Sequence, residues 1–277
     1  MLSDAALERY SRQLMLPDFD VDQQQRLADA HVLVVGCGGL GSSLALYLAA
    51  AGVGCLTLAD GDRVELSNLQ RQVLHGDADI GRAKADSARE TLERLTPDCE
   101  VIALSERLEG AALEDAVRDA AVVADGTDNY PTRFALNRYC IAHDRPLVSA
   151  AAVRGEGQLA TFHPAAGGGC YRCLYPEEGA QAALSCSESG VMGPVVGAVG
   201  TLQALEVIKV LTGWGDTLTG RLLTLDLKSW EQRVLRLERR PDCPDCSSSQ
   251  AVASAGQGVP PEGQAAPPGS QAAPPQR

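Results

Sequence analysis

Aromatic residues are scarce in this sequence, and lysine is scarcer still. Phe, Trp and Tyr make up 4% of the 277 residues, so the core must be built mainly from aliphatic side chains. Arginine supplies 21 of the 24 basic residues, which leaves Lys84, Lys209 and Lys228 as the lysines. In such an arginine-rich chain, a lysine at a position where the local electrostatics disfavour a positive charge indicates a specific role for that residue.

Two further absences narrow the class of protein. No uninterrupted apolar run reaches the roughly 18 residues of a membrane-spanning helix, and the N-terminus lacks a signal peptide's apolar core. We therefore expect a cytoplasmic protein. The net charge of −12 argues against nonspecific nucleic-acid binding and against docking on an anionic membrane.

The chain is organised around a glycine-rich turn. Residues 31–35 are typical of a buried strand, the sequence GCGGLG follows at 36–41, and an apolar helix is predicted over 42–51. A second strand, 55–59, ends at Asp60. This order is typical of a nucleotide-binding βαβ unit, whose glycines approach a phosphate and whose acid binds a ribose hydroxyl. A merely structural glycine turn is the alternative.

Strands and helices alternate through most of the remaining chain. We predict an α/β fold, namely a Rossmann-like, mostly parallel sheet with flanking helices, a C-terminal antiparallel hairpin and a structural zinc site. The predicted organisation is a helical N-terminal segment at 1–30, a nucleotide-binding domain at 31–246 and a disordered tail at 247–277. The tail consists mainly of Ser, Ala, Gln, Gly and Pro and has no aromatic residue.

Four of the nine cysteines form two CxxC pairs that are far apart in sequence. In a reducing compartment this spacing predicts a tetrahedral four-sulfur zinc site, with unmetallated thiols or a redox pair as the alternative. The predicted zinc ligands are Cys170, Cys173, Cys243 and Cys246. Cys186 stands apart in a Ser-rich loop, and we treat it as a candidate nucleophile, although a buried structural cysteine is the usual case.

Charged residues near the predicted strand ends suit a polyphosphate. Lys84 lies in the first turns of a predicted helix, where its charge opposes the helix dipole, although a plain surface lysine is the alternative. After the fourth strand, Asp125, Thr127, Asp128 and Asn129 face the same crevice as the glycine turn. Asp128 as a helix N-cap is the competing structural interpretation.

The motif GxxxxGK[ST] is absent, which excludes a P-loop kinase or ATPase. Nucleotidyl transfer from ATP and hydride transfer with a dinucleotide remain. Arg71 and Lys84 suit neutralisation of a triphosphate, and Asp128 suits the Mg²⁺ that bridges it, so the residues favour nucleotidyl transfer. An NAD-dependent dehydrogenase and a noncatalytic binding scaffold are the alternatives from other classes.

Taken together, these motifs resemble the HesA/MoeB/ThiF family of adenylyltransferases, which are relatives of the ubiquitin-activating enzymes. The resemblance covers about residues 5–246. Besides the two CxxC pairs, it rests on RYSRQLMLPDF, GCGGLG, DGDRVELSNLQRQ, GRAKADSA and DGTDNYPTR.

The resemblance implies a homodimer that uses ATP and Mg²⁺ to adenylate the C-terminal glycine of a ubiquitin-like sulfur carrier ending in Gly-Gly. On pattern alone Arg12 is a solvated surface charge, whereas the resemblance implies that it reaches the partner subunit's ATP. Cys186 matches the family's loop cysteine. The residues implied to bind nucleotide are Gly39, Asp60, Ser67, Asn68, Arg71, Lys84, Asp128 and Asn129, with Asp128 also on Mg²⁺ and Arg71, Lys84 and Asp128 taking part in catalysis.

The pathway is a finer question. We expect a MoaD-like carrier, which serves molybdenum cofactor biosynthesis, with a ThiS-like carrier for thiamine or another thiolation carrier as the alternative. No rhodanese-type domain follows residue 246 in this sequence, so we expect any sulfur donor to be a separate protein.

Overall fold

One eight-stranded sheet forms the centre of the computed structural model, which describes residues 2–177 and 190–247. Its strands are β1 (His31–Val35), β2 (Cys55–Ala59), β3 (Glu100–Leu104), β4 (Val122–Asp125), β5 (Leu147–Val153), β6 (Glu156–Phe162), β7 (Arg221–Asp226) and β8 (Glu231–Arg236). They lie in the order β3-β2-β1-β4-β5-β6-β7-β8. The first five in this order pair in parallel, and β5 to β8 pair antiparallel.

Helices cover both faces of this sheet. They are α1 (Asp4–Arg9), α2 (Ser11–Leu14), α3 (Val21–Ala28), α4 (Gly39–Ala51), α5 (Lys84–Leu95), α6 (Gly110–Asp119), α7 (Tyr130–Ala142), α8 (Tyr171–Leu174) and α9 (Gly193–Thr212). The predicted fold class is therefore confirmed, including the C-terminal hairpin β7–β8. Helix α4 begins at Gly39, inside the glycine turn, rather than at the predicted Ser42.

Two apolar clusters, one on each face, hold the sheet between the helices. Successive side chains of a strand point to opposite faces, and β1 shows the consequence. Val32 and Val34 pack in the cluster that includes α4 and α9, whereas Leu33 and Val35 pack in the cluster that includes α6 and α7. A strand buried on both faces must be apolar throughout, which is why residues 31–35 were recognisable as a strand.

Helix α9 is, among the described residues, the one helix long and apolar enough to cross a membrane by length and composition, with a mean hydropathy of 1.5. Half of it is buried inside the fold. Its buried Gln203 donates from Nε2 to the carbonyl oxygens of Asp125 (2.8 Å) and Val148 (2.9 Å). These bonds fix α9 across β4 and β5, so it is a core helix of this sheet.

The N-terminal helices pack against the end of α4. A capping box between Asp20 and Gln23 starts α3. Gln24, which is fully buried in α3, donates from Nε2 to the carbonyl of Ala51 at 2.9 Å. The predicted domain boundaries stay predictions, and Cys186 and the predicted tail beyond Ser247 lie outside the described residues.

Candidate nucleotide site and metal centre

A cavity of about 420 Å³ opens beyond the carboxyl ends of β1 and β4. The chain leaves β1 toward β2 on one side and returns to β4 on the other, so this is the switch point where open α/β sheets bind ligands. The volume lies within the roughly 300–1,000 Å³ of small-molecule sites. Of the predicted site residues, Gly39, Asp60, Arg71, Lys84, Asp128 and Asn129 line it.

The glycine turn is packed too closely for side chains. Gly36 adopts a φ of +93°, which favours glycine. A Cβ on Gly41 would lie 1.9 Å from the Gly36 carbonyl oxygen, and one on Gly39 would lie 2.8 Å from Cγ2 of Val196. Gly38 is the N-cap residue of α4 and offers no side chain to the first helical N–H groups. An anion in the cavity therefore meets open backbone donors at a helix N-terminus.

Asp60 holds the turn from the neighbouring strand. Its Oδ2 accepts from the Cys37 backbone N–H at 2.7 Å, and its Oδ1 accepts from the Asp62 N–H at 2.8 Å. Burial raises the pKa of the Asp60 carboxyl, while the Lys84 ammonium and these two N–H donors oppose that shift. The carboxylate has a structural task in the turn, and its predicted contact with a ribose stays a prediction.

Lys84 is the first residue of α5, and its side chain is only 8% exposed. Its Nζ lies 2.8 Å from Oδ2 of Asp62, whose own side chain is 76% exposed. A buried cation at a helix N-terminus costs stability through both desolvation and the dipole. The structure thus excludes the alternative that Lys84 is a plain surface lysine, and it adds Asp62, which sequence reasoning missed.

Arg71 reaches the cavity, whereas Ser67 and Asn68 are not part of its wall. Nη1 of Arg71 donates to the Ser67 carbonyl at 3.0 Å, which anchors the guanidinium on its own turn. Asn68 is buried, and its Oδ1 accepts from the Glu65 N–H at 3.2 Å. The predicted nucleotide contacts of Ser67 and Asn68 stay predictions, and Asn68 shapes the turn that presents Arg71.

In the acidic loop after β4, the cap of the next helix is not the residue that the structural alternative expected. Asn129, not Asp128, caps α7, because its Oδ1 accepts from the Thr132 N–H at 3.0 Å. The N-cap interpretation of Asp128 is therefore wrong, and Asp128 is exposed in the cavity wall. Asp125 is fully buried and accepts from Thr127 Oγ1 at 2.7 Å and from Ser149 Oγ at 2.6 Å.

Besides Asp62, the cavity residues Gln72, Arg107 and Arg133 were missed from the sequence. Arg133 is nearly buried and donates from Nη2 to the carbonyls of Thr127 and Ala150. Gln72 directly follows Arg71, and Arg133 closes the DGTDNYPTR motif, so position within the motifs was the available signal. Arg107 lies in the loop after β3 and has no such signal.

Two predicted residues stand apart from this cavity. Arg12 lies exposed on α2 and is not among the residues that line the cavity in its own chain. Its expected action on a partner subunit stays a prediction. Cys186 lies outside the described residues.

The four predicted zinc ligands meet in one cluster. Their Sγ atoms all lie within 4.8 Å of one another. Cys170 is 3.9 Å from Cys173 and 3.6 Å from Cys243, and Cys173 is 3.6 Å from Cys246. Four thiolates at about 2.3 Å from a tetrahedral Zn²⁺ would be about 3.8 Å apart. The cluster fits a zinc ion that has no open coordination position, which suits a structural role.

Polar groups around the cluster fix the second CxxC pair to the first. Asp245 accepts from Arg172 Nη1 at 2.8 Å and from Asn137 Nδ2 at 2.9 Å. The backbone N–H of Arg240 points at Cys173 Sγ from 3.4 Å. Such outer contacts orient metal ligands. Burial raises the pKa of the Cys170 thiol to about 12, so a metal ion that binds there must displace the thiol proton.

A second cavity, of about 400 Å³, adjoins the first along the antiparallel part of the sheet. Its wall includes Tyr130, Gln158 and Tyr175 and reaches β7 and β8. Arg133 and Ala152 line both cavities. A chain lying along β6 and β7 could thus place its end at the nucleotide cavity, with Arg133 at the junction.

Comparisons with known proteins agree with this geometry. Adenylyltransferase and sulfurtransferase MOCS3 of Bos taurus is 51% identical over 91% of this chain but only 55% of its own length, so the chain spans about half of that relative. In Escherichia coli (strain K12), the sulfur carrier protein ThiS adenylyltransferase is 49% identical over 90% of this chain and 99% of its own length. Molybdopterin-synthase adenylyltransferase of the same strain is 46% identical over 88% and 98%.

Solved structures support the fold. The crystal structure of E. coli MccB with MccA-N7isoASN has a TM-score of 0.76 at 23% identity, covering 88% of this chain and 75% of that one. The ThiF family matches residues 10–245, which include the glycine turn, the cavity residues and three of the four clustered cysteines. The chain therefore belongs to the ThiF family.

Proposed function

We propose that this protein is an adenylyltransferase that activates a ubiquitin-like sulfur carrier with ATP. The observation that carries the proposal is the buried Lys84, which lines the same cavity as the glycine turn, Arg71 and the exposed carboxylate of Asp128. Relatives that are named adenylyltransferases and match over nearly their whole length support the same chemistry.

The reaction joins two anions, and the cavity compensates their charge. The C-terminal carboxylate of the carrier attacks the α-phosphorus of ATP, an acyl–oxygen–phosphorus bond forms, and the bond to the β-phosphate oxygen breaks with loss of pyrophosphate. The nucleophile is already ionised, so no general base is required. Lys84, Arg71 and the N-terminus of α4 stabilise the negative charge that accumulates at the phosphates.

Asp128 is the residue we assign to Mg²⁺. Magnesium is commonly held by one or two carboxylates plus substrate phosphates, which suits a single exposed carboxylate in the cavity wall. Among the described residues, the cysteine cluster is the one group of three or more metal-binding side chains, so Mg²⁺ has no separate protein cage here. When bound, the ion offsets phosphate charge, and Asp128 orients it.

The carrier tail and the partner subunit complete the proposed site. A flexible Gly-Gly end suits the second cavity, from which its carboxylate reaches the junction at Arg133. We further propose a homodimer in which Arg12 of each protomer contacts the ATP of the other, because Arg12 is exposed and stands away from the cavity in its own chain.

MoaD-like and ThiS-like carriers are both candidates. We propose a MoaD-like carrier, and a ThiS-like carrier is the second candidate because the E. coli ThiS adenylyltransferase is 49% identical. ATP–pyrophosphate exchange, with each purified carrier offered separately, distinguishes them. Exchange with one carrier, and its loss when the last glycine of that carrier is removed, would support the proposal.

A matched pair of lysine variants tests the site itself. Lys84→Met removes the ammonium but keeps an apolar stem, and we expect exchange to fall by about 100-fold or more. Lys209→Met removes a lysine on α9 whose Nζ donates to the Asp216 carbonyl beyond the end of that helix, and exchange should be unchanged. If ATP binds and no carrier supports exchange, the adenylyltransferase proposal is wrong.

A further inference from the structure

We propose that Gln72 is a further substrate-binding residue, whose side-chain amide donates a hydrogen bond to a phosphate oxygen of the bound nucleotide. The inference rests on the proposed function, since it assigns one more contact at the same nucleotide cavity. The residue closes the motif DGDRVELSNLQRQ, but the sequence analysis assigned it no role.

The Gln72 carboxamide is buried without a partner. The residue is 4% exposed and lines the nucleotide cavity. Its Oε1 has no hydrogen-bond partner, and no hydrogen bond of this side chain to another part of the described chain occurs. Native proteins pair nearly all buried polar groups. A phosphate oxygen can only accept and would leave Oε1 unpaired, so the ligand contact belongs to the Nε2 donor, for which the described residues offer no partner.

The position of the amide nitrogen identifies the ligand chemistry. Nε2 of Gln72 lies 3.6 Å from the point where a Cβ of Gly38 would sit, so the amide lies against the turn that opens to the α4 N-terminus. Arg71 and Lys84 line the same cavity. These donors and cations favour an anion with several acceptor oxygens, and an amide N–H adds a directed contact to it.

A binding role and a packing role predict opposite outcomes for an apolar replacement. Gln72→Met keeps the length of the side chain and removes the unpaired Oε1 together with the Nε2 donor. If Gln72 serves binding, this variant melts at the same or a higher temperature without nucleotide, and its Kd for ATP rises about tenfold. If Gln72 instead stabilises the fold through packing or polar contacts within the chain, the variant melts at a lower temperature and binds ATP with the affinity of the wild type.

A charged pair of variants provides the second arm. Gln72→Glu exchanges the donor for a carboxylate that faces the phosphate, and we expect the Kd for ATP to rise about 100-fold. Gln70→Glu makes the same charge change on an exposed side chain two residues away and should leave ATP binding unchanged. Comparable weakening by both variants would point to net charge alone and would overturn the inference.

The measurements are calorimetric titration with Mg-ATP, thermal unfolding without nucleotide, and pyrophosphate exchange with the carrier. Wild-type binding and exchange together with wild-type affinity in Gln72→Met would overturn the role of Gln72 alone. Failure of the wild type to bind ATP would overturn this inference and the proposed function together. Weaker ATP binding at unchanged or higher melting temperature supports the role.

Discussion

Replacing Gly41 by alanine tests whether the glycine turn depends on direct contact between its backbone segments. The new Cβ would lie 1.9 Å from the Gly36 carbonyl oxygen and 2.9 Å from its carbon, far inside van der Waals contact. Gly36 cannot retreat, because a Cβ there would already be 2.9 Å from the Gly126 carbonyl oxygen, which indicates how closely the two backbones approach. The first turn of α4 must therefore move by about 1 Å or more.

Backbone shifts of this kind cost about 3 kcal/mol of unfolding free energy. For a chain of this size, about 2–4 °C per kcal/mol corresponds to a melting temperature lower by roughly 6–12 °C. Thermal unfolding measures this shift, and calorimetric titration measures the accompanying loss of ATP affinity. The displaced α4 N-terminus should weaken ATP binding even at temperatures where the variant remains folded.

Two glycine variants serve as controls. Gly76→Ala is in an extended, exposed conformation, and its Cβ would be 3.9 Å from Asp79 Oδ2, so stability and ATP binding should be unchanged. The Cβ of Gly38→Ala would meet only an ordinary contact at 3.6 Å, so this variant should keep its stability and lose ATP affinity. If Gly41→Ala melts with the wild type, the packing argument fails.

Three further predictions test other parts of the structure. Cys243→Ser should lower the zinc content of the purified protein, as measured by metal analysis. Cys140 is buried outside the cluster, so Cys140→Ala should retain the zinc. Equal zinc content in both variants would contradict the metal centre. Asn129→Ala removes the cap of α7 and should lower the unfolding free energy by about 1 kcal/mol. Asp128→Asn should keep the stability of the wild type and lose pyrophosphate exchange. The reverse pattern would exchange the roles of the two residues. Burial lowers the pKa of His75, which contacts Ser87 Oγ and the Cys37 carbonyl and also faces Asp79, Lys84 and Asp60. As the pH drops from about 6.5, the unfolded state therefore takes up a proton before the folded state does, and the free energy of unfolding falls until the folded pKa is reached. Denaturant unfolding at several pH values should show this fall in the wild type and not in His75→Gln.

Local patterns in the sequence predicted the fold well. Strands β1 and β2 match their predicted bounds, because each is short, apolar and bounded by glycine or aspartate. The two CxxC pairs indicated a common cluster because four thiols at this spacing have few other uses in a reducing compartment. Lys84 was flagged by its conflict with the helix dipole, and its burial gives that conflict a physical meaning.

Long-range partners were the part that the sequence could not supply. Asp62 pairs with Lys84 across 22 residues, and nothing in its own surroundings indicates this. Whether Asp128 or Asn129 caps α7 depends on the residue at which that helix begins. Helix propensity alone does not determine this boundary. The position of Gln72 beside Arg71 was a sequence signal, but its lack of a described hydrogen-bond partner is visible only once the surrounding groups are known.

The cysteine cluster joins two segments that are 73 residues apart, as measured from Cys170 to Cys243. With a metal bound, the intervening chain is a closed ring that contains α9 and the hairpin β7–β8. Closing a ring of this length lowers the entropy of the unfolded chain by an amount worth on the order of 4 kcal/mol. A backbone cut at the exposed turn around Trp230 would create two new chain ends, yet the metal would still connect the two fragments. The two fragments would stay together until a chelator removed the metal.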